Sequence, residues 1–233
     1  MKNNNKFRLD VWGAITLGTI ALYALFLLYP MAYLIRQSVL DPDTGSFTLA
    51  YFTKFFSKSY YFDTLINSFK VSITATVLSI AIGTPLAYLF TIFKIKGKSV
   101  LNILIVVASM SAPFIGAYSW ILLLGRSGII TTFFKNLGIA IPDIYGFGGI
   151  VLVMTLQLFP LVFLYAKGAL KNIDNSLIEA AENLGCSGIA CFFKVVVPLI
   201  MPTLLAAALL VFMRSFADFG TPMLIGEGYR TFP

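Results

Sequence analysis

Five stretches of this chain are almost purely apolar: about Val11 to Ile35, Val71 to Phe93, Val100 to Leu124, Gly148 to Ala166 and Leu199 to Ala217. Each reaches the roughly 20 residues that an α-helix needs to cross a bilayer. Arg214 excepted, none of them holds a charged residue. The pattern therefore predicts an all-α membrane protein, a helical bundle. The first stretch is too long for the apolar part of a signal peptide, and RQSVLDPD after it offers no small-residue cleavage site, so it reads as a retained span.

Composition sharpens this picture. The chain is 58% hydrophobic and 12% charged, too little charge for an ordinary soluble domain. The net charge of +7 does not point to nucleic acid, because the Lys and Arg residues sit in short loops beside apolar runs. Two cysteines, Cys186 and Cys191, and no histidine make neither a disulfide framework nor a metal site. The loop charges also set an orientation. Lys2, Lys6 and Arg8 precede the first span, and Lys94, Lys96 and Lys98 follow the second. Both groups belong on the cytoplasmic side, which puts 36–66 and 126–146 outside and 176–202 inside. The aromatic-rich segment Asp41 to Asp63 then lies at the outer membrane interface. Five spans leave the end of the chain outside, and GEGYRTFP has no stop or amphipathic ending, so at least one more span is expected to follow.

The cytoplasmic stretch SLIEAAENLGCSGIACFFKVVVPLIMP, residues 176–202, breaks the apolar pattern. Ser176 and Glu179 have the spacing of a capping box, which predicts a helix start at Ser176. Leu177, Ile178, Ala181 and Leu184 then share a face, and Gly185 stands where a helix ends in a left-handed cap. A second short helix is expected from near Ser187 to Pro198. Two readings fit: an amphipathic connector lying in the interface, or a rigid knob that enters a groove on a cytosolic partner. Glu179 has a local role in either case, since a capping-box glutamate stabilises its own helix.

Glu179-Ala180-Ala181, three residues, Gly185, nine residues and then Val195-Val196-Val197-Pro198 resembles the EAA loop of ABC importer permeases. Val195 and Val197 stand where that pattern has Ile and Leu. The resemblance implies a type I ABC importer permease fold with a cytoplasmic coupling helix. It covers residues 64–233, with 1–63 as an N-terminal tail, added helix and external segment, and it implies a missing final helix. In such a permease the loop sits in a cleft of a cytosolic ABC ATPase dimer. Ser176 would begin the coupling helix, Glu179 would anchor it, Ala180 and Ala181 would allow close approach, Gly185 would make the corner, and Pro198 would set the entry to the span. ATP and Mg would be bound by the ATPase, and no cofactor by this chain. Further implied partners are an extracytoplasmic substrate-binding protein, a second permease half (fused, homodimeric or separate) and membrane lipid. The chain is expected to have no catalytic residues. Gly97-Lys98-Ser99 imitates the end of a phosphate-cradling loop, but Ile92 occupies the position of its first glycine.

Polar side chains inside spans face the bundle interior or a pathway, because facing lipid is costly. Ser109, Ser111, Tyr118, Thr155, Gln157, Arg214 and Asp218 are the candidates, with Pro113 and Pro160 loosening the third and fourth helices. Gln157, Pro160, Arg214 and Asp218 lead this set; ordinary helix-to-helix hydrogen bonds and kinks are the alternative. Arg214 and Asp218, four residues apart, share a helix face and can pair, either lining the pathway or snorkelling. The phrase Ser215 to Pro222, SFADFGTP, resembles the ferric-iron branch of these permeases, whose related branches handle polyamines, thiamine, sulfate and 2-aminoethylphosphonate. Ferric iron is the expected cargo. An ion-gradient transporter would show repeated halves and ionisable residues near the midplane, which this sequence lacks; a non-transporting scaffold would use the loop only to recruit a partner.

Overall fold

The computed structural model describes residues 11–41, 44–93, 96–110, 112–139, 142–186 and 188–232. These divide into two compact units, 1–62 and 63–233.

In the first unit, helix α1 (Val11–Val39) has no buried residue along its apolar length. A π turn at Ala24–Leu28 interrupts it, with the Tyr29 N–H reaching back five residues to the Ala24 carbonyl. The cause is Pro30, which has no N–H to give and crowds the preceding turn; the wider turn absorbs both. A short antiparallel bridge pairs Leu40 with Phe47. Helix α2 (Ala50–Ser57) follows. The ring of Phe55 lies 5.2 Å from Phe56 and 5.6 Å from Tyr61, an aromatic cluster of the kind that suits a membrane interface.

Helix α3 (Ser59–Ile92) is 34 residues long, starting well before the predicted Val71. Asp63, Asn67 and Lys70 break the apolar run without breaking the helix. Ser68 and Thr76 return their hydroxyls to the carbonyls four residues back, at 3.1 and 2.7 Å. The buried face of α3 in the second unit is built of small residues, including Ser72, Ala75, Thr76, Ser79, Gly83, Thr84 and Ala87. That is how helices approach closely in lipid, where apolar burial by itself gives no drive to associate.

The predicted third span, Val100 to Leu124, is two helices: α4 (Lys98–Ser109) and α5 (Pro113–Leu124). Ala112 is extended at φ −70°, ψ 141°, as the residue before a proline prefers, and Pro113 opens α5 where no N–H is needed. After α6 (Ile129–Asn136), helix α7 (Phe147–Lys171) extends beyond its predicted limits. Pro160 is buried in α7 and does not interrupt it. It lies where α3 crosses: a Cβ on Gly83 would sit 2.8 Å from the Cβ of Val162 and 2.9 Å from the Phe159 carbonyl oxygen. After α8 (Asn175–Asn183), helix α9 (Gly188–Phe216) runs for 29 residues, and α10 (Gly220–Ile225) closes the set.

Helix α7 is the central post. One apolar cluster joins its second half (Val162, Phe163, Ala166) to Ala87 and Phe90 of α3 and to Val196, Ile200 and Leu204 of α9. A second joins its first half (Ile150, Val153, Met154) to Val71 and Ala75 of α3, Ala117 of α5 and Ile225 of α10. Among the described residues, five segments are long and apolar enough to cross a membrane: Val11–Val39, Ser59–Ile92, Pro113–Asn136, Phe147–Lys171 and Gly188–Phe216.

Candidate functional site

The break between α4 and α5 and the break between α9 and α10 face the middle of α7 across a cavity of about 440 Å³. Ser109 and Pro113 line one side, Gln157 the α7 side, and Arg214 and Asp218 the α9–α10 junction. Three of the four leading pathway residues, Gln157, Arg214 and Asp218, thus come together from segments far apart in sequence. Pro160 does not join them; it belongs to the α3–α7 crossing. Thr155 is buried and its hydroxyl has no partner among the described residues, Tyr118 is exposed on α5, and Ser111 lies outside the described residues.

The expected pairing of Arg214 with Asp218 does not form. Helix α9 ends at Phe216, so the four-residue spacing no longer places the two side chains on one face. Asp218 instead caps α10. Its Oδ1 accepts from the backbone N–H groups of Gly220 and Thr221 at 2.9 and 3.2 Å, and its Oδ2 accepts from the Thr221 hydroxyl at 2.6 Å. No ion pair engages Arg214 among the described residues, and the side-chain amide of Gln157 donates to the Pro113 carbonyl at 3.5 Å. The cavity therefore offers one unpaired guanidinium, one amide and a carboxylate already committed to a helix end. Phe114 and Phe219, with ring centroids 6.4 Å apart, form an aromatic edge that polarity-based reading overlooks. Gly220 is the legible trace of that edge, since a Cβ there would lie 3.2 Å from the Phe114 ring.

The loop 172–187 is built differently from the capping-box expectation. The cap is Asp174, whose Oδ1 accepts from the Ser176 N–H at 3.0 Å, leaving Ser176 inside the first turn of α8. Hydrogen bonds from the Ser176 backbone and side chain hold the Asp174 carboxyl below its ordinary value. Gly185 does end the helix in the left-handed conformation, at φ +84°. The Cys186 N–H reaches back to the Ala181 carbonyl at 3.0 Å, the six-to-one bond of a Schellman cap. Only part of the predicted apolar face turns inward: Ile178 packs on the core, while Leu177 and Leu184 are exposed, Leu184 at 89%. Glu179 and Ala180 are exposed and Ala181 is half-buried.

The second short helix is also corrected. Gly188 to Phe216 is one helix, with a π turn at Phe192–Val196 and the Val197 N–H bonded to the Phe192 carbonyl. Pro198 follows that turn as Pro30 follows the one in α1, for the same reason. Ser187 lies outside the described residues.

At the other end of α7, Arg126 binds two acids that lie 17 and 101 residues away. Its Nε donates to Asp143 Oδ2 at 3.0 Å, and its Nη2 to Glu227 Oε1 and Oε2 at 2.9 and 2.8 Å. The guanidinium carbon also lies 4.9 Å from the centre of the Tyr145 ring. Asn67 and Ser68 of α3 hold Arg230 and Phe232 through side-chain hydrogen bonds of 3.1 and 2.7 Å. Nothing local in the sequence announces these ties.

Residues 46–232 match the family described as binding-protein-dependent transport system inner membrane component. The chain belongs to this family. As a family member it is a multi-pass inner-membrane transport component and not an enzyme. It is 28% identical over 232 residues to the ferric transport system permease protein FbpB of Actinobacillus pleuropneumoniae, covering 98% of this chain and 33% of that protein. It is 29% identical over 232 residues to the spermidine/putrescine transport system permease protein PotB of Haemophilus influenzae, covering 96% of this chain and 79% of that one. The chain thus spans about a third of the length of the ferric-transport relatives it matches. Its fold is that of a chain in the crystal structure of a bacterial alginate ABC transporter in complex with an alginate pentasaccharide-bound periplasmic protein. The TM-score there is 0.73 at 17% identity, over 92% of this chain and 76% of that one.

Proposed function

We propose that this chain is the permease part of an ATP-driven importer, taking cargo from an extracytoplasmic binding protein and passing it through the cavity at Gln157, Arg214 and Asp218. The observation that carries the reading is the course of α9. A single helix of 29 residues, about 43 Å long, starts beside the α8 loop and ends at the wall of that cavity. A push delivered by α8 to the start of α9 can reach the cavity at its far end along one unbroken helix. In this reading α8 is the coupling helix, seated on a cytosolic ATPase dimer that binds ATP and Mg itself. Glu179, Ala180 and Leu184 face the ATPase, and the Gly185 corner fixes the angle between α8 and α9. Closure of the ATPase dimer draws two such helices together and rocks the bundle between inward- and outward-facing forms. The lysine-rich loops and the N-terminus lie in the cytoplasm, residues 64–233 form the transmembrane domain, and a second permease half completes the path.

Ferric iron is the cargo this reading favours. A polyamine is a multiple cation and calls for free carboxylates along its route; here the cavity's carboxylate, Asp218, is spent on capping α10 and Arg214 faces the same space. An unpaired guanidinium with an amide suits iron arriving with anionic ligands. The similarity to PotB keeps polyamine transport as the second reading. Radio-iron uptake from a ferric complex separates them: it falls on gene deletion, returns with the wild type and does not return with Glu179→Lys. Loss of spermidine uptake with iron uptake intact reverses the cargo assignment.

A further inference from the structure

At the end of the bundle that leads into α8, a second cavity, of about 350 Å³, opens between the first turn of α4 and the last turns of α7. Three lysines line it: Lys98 from α4, and Lys167 and Lys171, one turn apart, from α7. Lys167 is half-buried; its ammonium donates to the Asn102 side-chain oxygen and lies 5.4 Å from the Phe163 ring centre. Ser99 and Thr91 add hydroxyls to the wall, and no carboxylate among the described residues lines it.

Lysines that merely set orientation project separately from loops into water. These three converge, although like charges four apart on a helix repel and the α4 lysine adds to that repulsion. Asn102 holds the deepest of them in place. An anion relieves the conflict, and the cavity has the volume of roughly a dozen waters, more than a bare ion fills. Beside Asn102, α4 also exposes Leu101, Ile103 and Leu104, an apolar surface on which acyl chains can lie. Basic pockets between membrane helices bind anionic lipid headgroups on these terms. We propose that Lys98, Lys167 and Lys171 bind a phosphate-bearing anion, in the membrane the headgroup of an anionic phospholipid. The site sits at the root of α8, four residues before that helix starts, so a bound lipid would brace the loop. The proposal rests on membrane embedding alone and not on any cargo.

The test is native mass spectrometry of the intact detergent-purified transporter with phosphatidylglycerol, phosphatidylethanolamine or inorganic phosphate. Phosphatidylglycerol is expected to be retained in preference to phosphatidylethanolamine, with affinity falling about five-fold per lysine removed in K167Q and K167Q/K171Q. Lys54→Gln on α2 serves as the control and leaves retention unchanged. Displacement of the lipid by millimolar inorganic phosphate keeps the phosphate chemistry and assigns the site to the free ion. Equal retention of both lipids, or wild-type retention by K167Q/K171Q, overturns the proposal. Should the double variant fail to fold, Lys98→Gln in the first turn of α4 gives the same readout. No transport is measured, so failure here leaves the importer reading intact, and the reverse also holds.

Discussion

At the scale of single residues, the site separates side chains that build from side chains that face the cavity. Asp218 holds the first turn of α10, and Asn can still accept from the two backbone N–H groups while Ala cannot. Asp218→Asn is therefore expected to keep most of the wild-type uptake and Asp218→Ala to lose most of it, in cells expressing equal amounts of protein. Arg214→Ala is expected to fold normally, as no ion pair depends on it, yet to lower uptake at least several-fold. Gly83 is a purely steric case. Valine there must push into Val162 and the Phe159 carbonyl, and overpacking of this kind costs about 1–3 kcal/mol. Denaturant titration in detergent should show that loss, with Gly83→Ala smaller than Gly83→Val. Asp174 gives a pH dependence. Its carboxyl lies below the ordinary value because Ser176 bonds the charged form. Its support for α8 is therefore complete above the unfolded value, near pH 4, and fades as pH falls through the folded one. The protection of amides 175–178, taken as exchange relative to the intrinsic rate at each pH, should fall on acidification in the wild type and be low at every pH in Asp174→Ala.

At the scale of elements, two breaks and one continuity matter. Pro113 divides a predicted span into α4 and α5, and the end of α9 at Phe216 frees Asp218 to cap α10; the cavity lies between these breaks. The continuity is α9, which carries the loop corner into the membrane. Gly185 sits at φ +84°, where an L-residue costs about 1–2 kcal/mol. Gly185→Val is expected to insert and assemble but to re-aim α8. The readout is ATPase activity of the reconstituted complex that no longer rises when loaded binding protein is added, together with lost uptake.

At the scale of the whole molecule, the proposed coupling requires that one end of the second unit be firm while the other is worked. Arg126 ties the α5–α6 turn to Asp143 and Glu227, and α3 holds Arg230 and Phe232. Exposed ion pairs add little to stability individually, so Arg126→Gln should leave the unfolding midpoint nearly unchanged. It should nevertheless raise hydrogen exchange across 226–232, a difference between local order and global stability that a single experiment can read.

The sequence by itself determined the class, four of the five spans and the glycine corner at Gly185. Apolar runs of bilayer length have no other stable use for a backbone that must satisfy its own hydrogen bonds in lipid, and Gly185 is legible because only one conformation ends a helix that way. Ser176 was misleading because Asp174, two residues earlier, takes the Ser176 N–H that a capping box would give to Glu179, and the helix starts one residue sooner, at Asn175. Pro160 was misleading because a buried proline can sit inside a packed crossing without breaking its helix. Tertiary structure alone decided which polar residues meet. Gln157, Arg214 and Asp218 converge because two helices stop where they do, and Arg126 finds Glu227 from 101 residues away. Helical periodicity fixes which face a residue occupies, but only the packing of one helix against the next fixes what that face confronts.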